Sequence, residues 1–466
     1  MRKHVLLLLL VIALASFAIE AKFASQPIFP IHGNWANNDH SLVIPAAYYL
    51  SGKGYFQNDF SIVEYVNAYP TLLFQLLAGA YDLMGGMQVA YFLLFLILKI
   101  IFVFSMFLLA KLLLKDNRLA LLAVLVLAFT HFMGSEEIGV SEVVAKGFVF
   151  AFMPLLFYLF LKDTRKFAVP VSLGLGALTY FHVISTVPVV IAMGLLLLWK
   201  RDFKLLATCA VAFAIVSLPF FVGLLQAPAV DTASLKLTAP YSTLENGGRT
   251  VLKYVPIMLV GLLVAWKKDK RVAGMMGVFV AYSLLSFLTL LSDAFIPYTF
   301  FRAARFAIFF SFIFTVYAVF RMLPVGRWAR IVVFLALVVI PFSSINYSNL
   351  LPFMQPDAGV SQTQNLMEVG TWIDANTDKD AILLAPPEWP ALRVWSKRSI
   401  VITENDLWIG AVRPTVQMEL RKRYEAVSAA YANSTIPALT QTAKEYNASY
   451  VVQYGAGNFS VYKIEK

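Results

Sequence analysis

Long apolar runs recur through most of the chain, and every second gap between them is basic, a pattern that few folds can accept. The runs lie near residues 5–19, 87–110, 119–133, 147–161, 167–181, 183–199, 205–225, 251–266, 273–291, 306–320 and 331–345. A helix needs about 20 apolar residues to cross the hydrocarbon of a bilayer. Several runs are shorter and would cross at a slant or distort the lipid locally. The pattern predicts a polytopic α-helical membrane protein with about eleven transmembrane helices.

The gaps sort into two sets. One carries Lys111, Lys115 and Arg118; Lys162, Arg165 and Lys166; Lys200, Arg201 and Lys204; Lys267, Lys268, Lys270 and Arg271; Arg321, Arg327 and Arg330. Lys- and Arg-rich loops stay on the cytoplasmic side, which also places the N-terminus there. The other set comprises residues 20–86, 134–146, 227–250 and 293–305, and is expected outside together with everything after Pro341. Composition agrees: 59% of residues are hydrophobic and 14% charged, too little polar surface to cover a soluble globule. The net charge of +11 lies in those loops, which argues against nucleic-acid binding. Cys209 is the sole cysteine, so neither an intrachain disulfide nor a thiolate metal site is available. Residues 1–20 read as a retained first helix rather than a cleavable leader, because Glu20 and Lys22 fall where a small-residue cleavage site would sit, although Ala13-Leu14-Ala15 offers one.

After Pro352 and Pro356 the composition turns to that of an ordinary soluble domain. Helices are expected at 362–375, 414–432 and 437–446, and strands at 381–385, 399–403, 450–453 and 459–463. The domain organisation predicted is a membrane region, 1–353, with a first external loop over 21–86, followed by a small extracytoplasmic α/β domain, 357–466.

Polar chemistry gathers on the expected outer side. In the first loop Asp39 and His40 precede an amphipathic stretch that suits the membrane surface, and the turn-rich Ser51–Phe60 segment carries Asp59. Later loops add Glu136, Glu137 and Glu142, then His182 between two runs, then Arg302 and Arg305. Ionisable groups beside a bilayer are costly, so acids and bases from several loops on one face point to a polar cleft. Asp39 could act as general base toward an acceptor hydroxyl. Arg302 and Arg305, three apart, could clamp a phosphate leaving group. His40, Asp59, Glu136, Glu137 and His182 are candidates for substrate contact. Each has a plainer alternative: a helix cap for Asp39, a turn for Asp59, a solvated loop for the glutamates, packing for His182, and lipid headgroups for the arginines. Sequons at Asn346, Asn433, Asn447 and Asn458 are too short to carry weight.

These features resemble the GT-C superfamily of polytopic glycosyltransferases, which use polyprenyl-phosphate or polyprenyl-diphosphate sugars. The resemblance rests on Asp39-His40, on the segment from Gly52 to Asp59, on Ala68-Tyr69-Pro70, and on the acids of the second outer loop. It covers about residues 1–353. The stretch Thr371–Thr377, with 381–387 and 393–398, looks similar to terminal domains of uncharacterised prokaryotic members. No Trp-Trp-Asp-Tyr-Gly element is present, which disfavours transfer to asparagine sequons, and the first loop has no Asp-x-Asp, which leaves a divalent cation such as Mg or Mn an open expectation. The resemblance implies a lipid-linked sugar donor, a glycan, lipid or protein acceptor, membrane lipid as surroundings, and a prokaryotic plasma membrane. The alternative is a transporter or flippase of an amphiphilic substrate, or a non-catalytic assembly subunit. Charge confined to helix ends and the lack of an inverted repeat favour the enzyme.

Overall fold

Turns built on aspartate connect many of the apolar helices. The computed structural model describes residues 3–24, 40–68, 71–129, 132–133, 136–137, 140, 143–226, 254–334, 360–455 and 458–465. The chain starts with α1 (Lys3–Ala24), then the short helices α2 (His40–Leu50), α3 (Phe60–Ala68) and α4 (Leu72–Met84). There follow α5 (Met87–Leu114), α6 (Asn117–Phe129), a small hairpin of β1 (Phe132–Met133) and β2 (Glu136–Glu137), α7 (Ala145–Lys162), α8 (Thr164–Trp199) and α9 (Phe203–Gln226). Next come α10 (Val255–Lys268), α11 (Lys270–Leu284) and α12 (Ala304–Tyr317). Among these residues, six helical segments are long and apolar enough to cross a membrane. The chain is an integral membrane protein.

The turns Lys115-Asp116-Asn117-Arg118, Lys162-Asp163-Thr164-Arg165, Arg201-Asp202-Phe203-Lys204 and Lys268-Asp269-Lys270-Arg271 share one form. In each, the aspartate accepts backbone N–H groups of the next helix: Asp116 from Arg118 at 2.8 Å, Asp163 from Lys166 at 3.1 Å, Asp202 from Leu205 at 3.3 Å and Asp269 from Arg271 at 3.0 Å. A carboxylate at a helix start and a base at the preceding helix end satisfy orphan donors and both dipoles. Antiparallel apolar helices can therefore follow each other with almost no loop.

At 36 residues α8 would run about 54 Å, well beyond a hydrocarbon core of about 30 Å. Its backbone breaks at His182 (φ −157°, ψ 92°). The Thr179 and Thr186 hydroxyls lie 3.2 Å apart, whereas seven residues of unbroken helix rise about 10 Å. The two halves thus bend sharply against each other at the boundary between the runs read at 167–181 and 183–199. The run at 331–345 lies largely outside the described residues.

Every residue of α12 from Ala304 to Val316 is buried, as suits a helix that is apolar on nearly all sides, with Arg305 the one charge it carries. Phe306 stacks on Phe150 of α7 (5.2 Å, 7°), and Phe310 meets Phe157 edge-on at 4.9 Å. Gly261 of α10 sits so close to the Ser311 backbone that a Cβ there would collide with it. Small residues admit such backbone approach in membrane bundles.

The chain divides into two compact units, Met1–Glu20 with Phe92–Leu224 and Pro240–Ser348, and Ala21–Tyr91 with Leu225–Ala239 and Asn349–Lys466. The first loop, read from sequence as part of the membrane region, thus groups with the C-terminal segment. That segment contains α13 (Val360–Asn376), β3 (Ile382–Leu384), α14 (Ala391–Ser396), β4 (Ser399–Ile400), α15 (Leu407–Val412), α16 (Pro414–Asn433), α17 (Ile436–Glu445), β5 (Tyr450–Gly455) and β6 (Asn458–Lys463). The sheet order is β4-β3-β5-β6, with β3 parallel to both neighbours and β6 antiparallel to β5. Leu366, Ile373, Leu383, Leu392, Ile400 and Val452 form its core, with Trp389, Trp395 and Phe459 packed against them. Within the same unit, Tyr65 of α3 meets Trp408 of α15 at 5.9 Å.

Candidate functional site

In the first unit the polar centre forms where α8 breaks. His182 and Ser185 are buried, and the imidazole Nδ1 lies 2.6 Å from the Ser185 hydroxyl. The break frees a turn of backbone, and Ser185 stands just past it. Arg305, 2% exposed at the start of α12, donates from Nη2 to the same hydroxyl at 2.5 Å. Its guanidinium lies 4.6 Å from the centre of the Phe150 ring and 5.6 Å from that of Phe306, contacts that suit a desolvated cation. Arg302, half-buried, lies one turn earlier on a short 3-10 segment, Phe300–Ala303, whose entry residue Thr299 has φ +41°. The charged groups acting on the His182 ring are Arg305, Arg302 and Lys146, all basic. The structure therefore joins His182 and Arg305 through Ser185, which the sequence analysis did not select as a ligand, with Arg302 one turn before Arg305 and the Lys146 charge also acting on the ring.

A second unexpected cation lies inside α5. Lys99 is fully buried and points its Nζ at the Ala128 carbonyl, 3.5 Å away near the end of α6. Charge is thus not confined to helix ends, contrary to the expectation above. A single lysine in the middle of a 28-residue apolar helix was the signal, and intramembrane lysines are costly enough to imply a task.

In the second unit Asp59 is 1% exposed and turned inward. Its Oδ1 accepts the Ile62 N–H at 3.0 Å, and its Oδ2 accepts the Ile400 N–H at 3.1 Å. Arg393 Nε stands 3.0 Å from Oδ2, an ion contact rather than an aligned hydrogen bond. Arg393 also donates to both oxygens of Asp406 at 2.8 Å, and Asp406 accepts the Thr403 N–H at 2.7 Å. Burial pushes the Asp59 carboxyl above its ordinary value against the pull of Arg393, and Asp406 adds to the rise. With both oxygens engaged inside the protein, Asp59 ties α3 to β4 and α14, and the expected substrate contact gives way to this structural role. Arg398 is likewise enclosed, bonded to Asp374 and Thr377.

Asp39 and Glu142 lie outside the described residues. His40 opens α2, and Glu136 and Glu137 form β2, paired with Met133 and Phe132. Among the described residues, no group of three or more His, Cys, Asp and Glu side chains gathers as a metal site.

Comparison with known proteins adds the following. A family model described as a domain of unknown function, DUF6798, matches residues 364–407, the segment that carries Asp374, Arg393, Arg398 and Asp406. No curated protein matches the chain. Among solved structures, the chain is similar to the archaeal oligosaccharyltransferase AglB from Archaeoglobus fulgidus in complex with an inhibitory peptide and a dolichol-phosphate. The identity is 12% and the TM-score 0.44, over 90% of this chain and 69% of that one. It is also similar to the Archaeoglobus fulgidus oligosaccharyltransferase tethered to an acceptor peptide containing the NVT sequon, at 12% identity and a TM-score of 0.43, over 89% of this chain and 69% of that one.

Proposed function

We propose that the chain is a glycosyltransferase that moves a sugar from a polyprenyl-phosphate or polyprenyl-diphosphate donor to an acceptor at the extracytoplasmic face of a prokaryotic plasma membrane. The observation that carries this reading is the buried Arg305, bonded to Ser185 at the break in α8, with half-buried Arg302 one turn before it. Positive charge enclosed among apolar spans suits an anionic headgroup borne on a lipid tail, because charge-assisted hydrogen bonds are strong where water is excluded.

In this mechanism Asp39 takes the proton of the acceptor hydroxyl as its oxygen bonds to the anomeric carbon of the donor sugar. The bond from that carbon to the phosphate oxygen breaks, and the phosphate leaves with the electron pair. Arg302 and Arg305 stabilise the negative charge that grows on that oxygen. Ser185 fixes the Arg305 guanidinium, and His40, Glu136, Glu137 and His182 are the further substrate contacts of this reading. The buried Lys99 favours a second reading, a flippase for a lipid-linked substrate, which would move the lipid without cleaving it.

The test is donor kinetics of Arg302→Gln and Arg305→Lys in lipid. Loss of one charge-assisted contact should raise the donor KM at least about tenfold in Arg302→Gln, with a partial effect in Arg305→Lys. Wild-type KM values in both folded variants would overturn the phosphate-binding role.

A further inference from the structure

A cavity of about 850 Å³ opens in the second unit, away from every residue given a role above. It falls within the roughly 300–1,000 Å³ usual for small-ligand sites. One wall comes from the first loop, Asn58 and Phe60; the others come from the turn before β3, from α16, from the end of α17 and from the end of β6. Asn58 Nδ2 donates to the Asp380 carbonyl at 3.2 Å, which joins the loop wall to the turn wall. Arg423 of α16 is fixed in place: its Nε donates to Glu419 at 2.7 Å, and its guanidinium lies 4.4 Å from the Phe60 ring centre and 5.4 Å from that of Tyr446. Asn58 and Arg423 are therefore held in place by the protein itself at the cavity wall.

Its lining selects a class of ligand. Asp378, Asp380 and Glu465 offer only acceptors, Arg423 and Lys463 only donors, and Asn58 and Asn447 both. An anion would meet the carboxylates, and a cation would meet Arg423 and Lys463. A neutral ligand rich in hydroxyls can donate to the first set and accept from the second at once. Tyr446 and Tyr450 add ring surface for its C–H faces.

We infer that this cavity between the first loop and the C-terminal sheet binds a neutral oligosaccharide. It rests on the function proposed above only in naming that glycan as the acceptor.

The experiment measures binding of mannohexaose, cellohexaose and N-acetylchitohexaose to the full chain in nanodiscs by saturation-transfer NMR, with hexagalacturonate and a serine-rich hexapeptide alongside. At least one neutral oligosaccharide should bind, and Asp378→Ala/Asp380→Ala should weaken it about tenfold or more through lost hydrogen bonds to charged acceptors. Both substituted side chains are exposed, and the Asp380 carbonyl that holds Asn58 is retained, so the variant keeps its fold. No binding by any neutral oligosaccharide, equal binding of hexagalacturonate, binding of the peptide alone, or unchanged affinity in the variant would each overturn the inference. Glycan binding without sugar transfer would sustain this site and sink the transferase reading; transfer with an acceptor KM untouched by the variant would do the reverse.

Discussion

Replacing Arg393 with methionine removes the one cation that two buried carboxylates share. Arg393, Asp59 and Asp406 have side chains with no solvent exposure, and the arginine makes contacts of 2.8, 2.8 and 3.0 Å. Breaking a buried ion pair by deleting one partner costs about 3–5 kcal/mol, because the survivor stays charged or must take up a proton. Here two carboxylates are stranded, which favours the upper end. Hydrogen exchange of the full chain in nanodiscs, read at the Ile62 and Ile400 amides that Asp59 accepts, should accelerate about 10³- to 10⁴-fold in Arg393→Met. Burial already holds the Asp59 carboxyl above its ordinary value. A folded pKa above the unfolded one supplies stability that is present at low pH and lost as pH rises. The variant's deficit should therefore be smaller at pH 5 than at pH 8. Adding Asp59→Asn and Asp406→Asn should recover all but about 1–2 kcal/mol. Exchange within about threefold of wild type in Arg393→Met, or a deficit independent of pH, would refute the structural assignment of the triad.

Two further outcomes follow from the first unit. Gly261→Val forces a side chain into the Ser311 backbone and should cost about 1–3 kcal/mol or more by thermal unfolding in detergent; an unchanged melting temperature would show that α10 and α12 do not pack this closely. Lys99→Met removes a buried cation and should leave melting unchanged or raised while lowering donor turnover. A destabilised variant of normal activity would make Lys99 structural.

Much of the architecture was legible because it is written locally. Basic residues marked the turns, and the aspartates in the same four-residue segments supply the helix caps, a regularity that topology reasoning passed over. In the C-terminal segment β3, β5, β6, α16 and α17 fall where alternation and flanking turns place them. The helices at Ala391–Ser396 and Leu407–Val412 were missed, since six residues make under two turns and show no period. The partner of Asp59 was out of reach for a different reason. An acid beside a glycine-rich turn looks exposed, and its partner Arg393 lies far along the chain, where no spacing rule reaches it. Arg302 and Arg305 were readable as a pair three apart, but Ser185 gains meaning only when the break at His182 brings it to Arg305.

The central claim is most directly tested by sugar transfer from a panel of polyprenyl-phosphate and polyprenyl-diphosphate sugars, comparing purified wild type with Asp39→Asn in lipid. The account predicts transfer or donor hydrolysis by wild type and its loss in a folded Asp39→Asn protein. Equal activity in both would remove Asp39 as the base, and no turnover with any donor, alongside movement of labelled lipid across the bilayer, would contradict the enzyme reading in favour of a flippase.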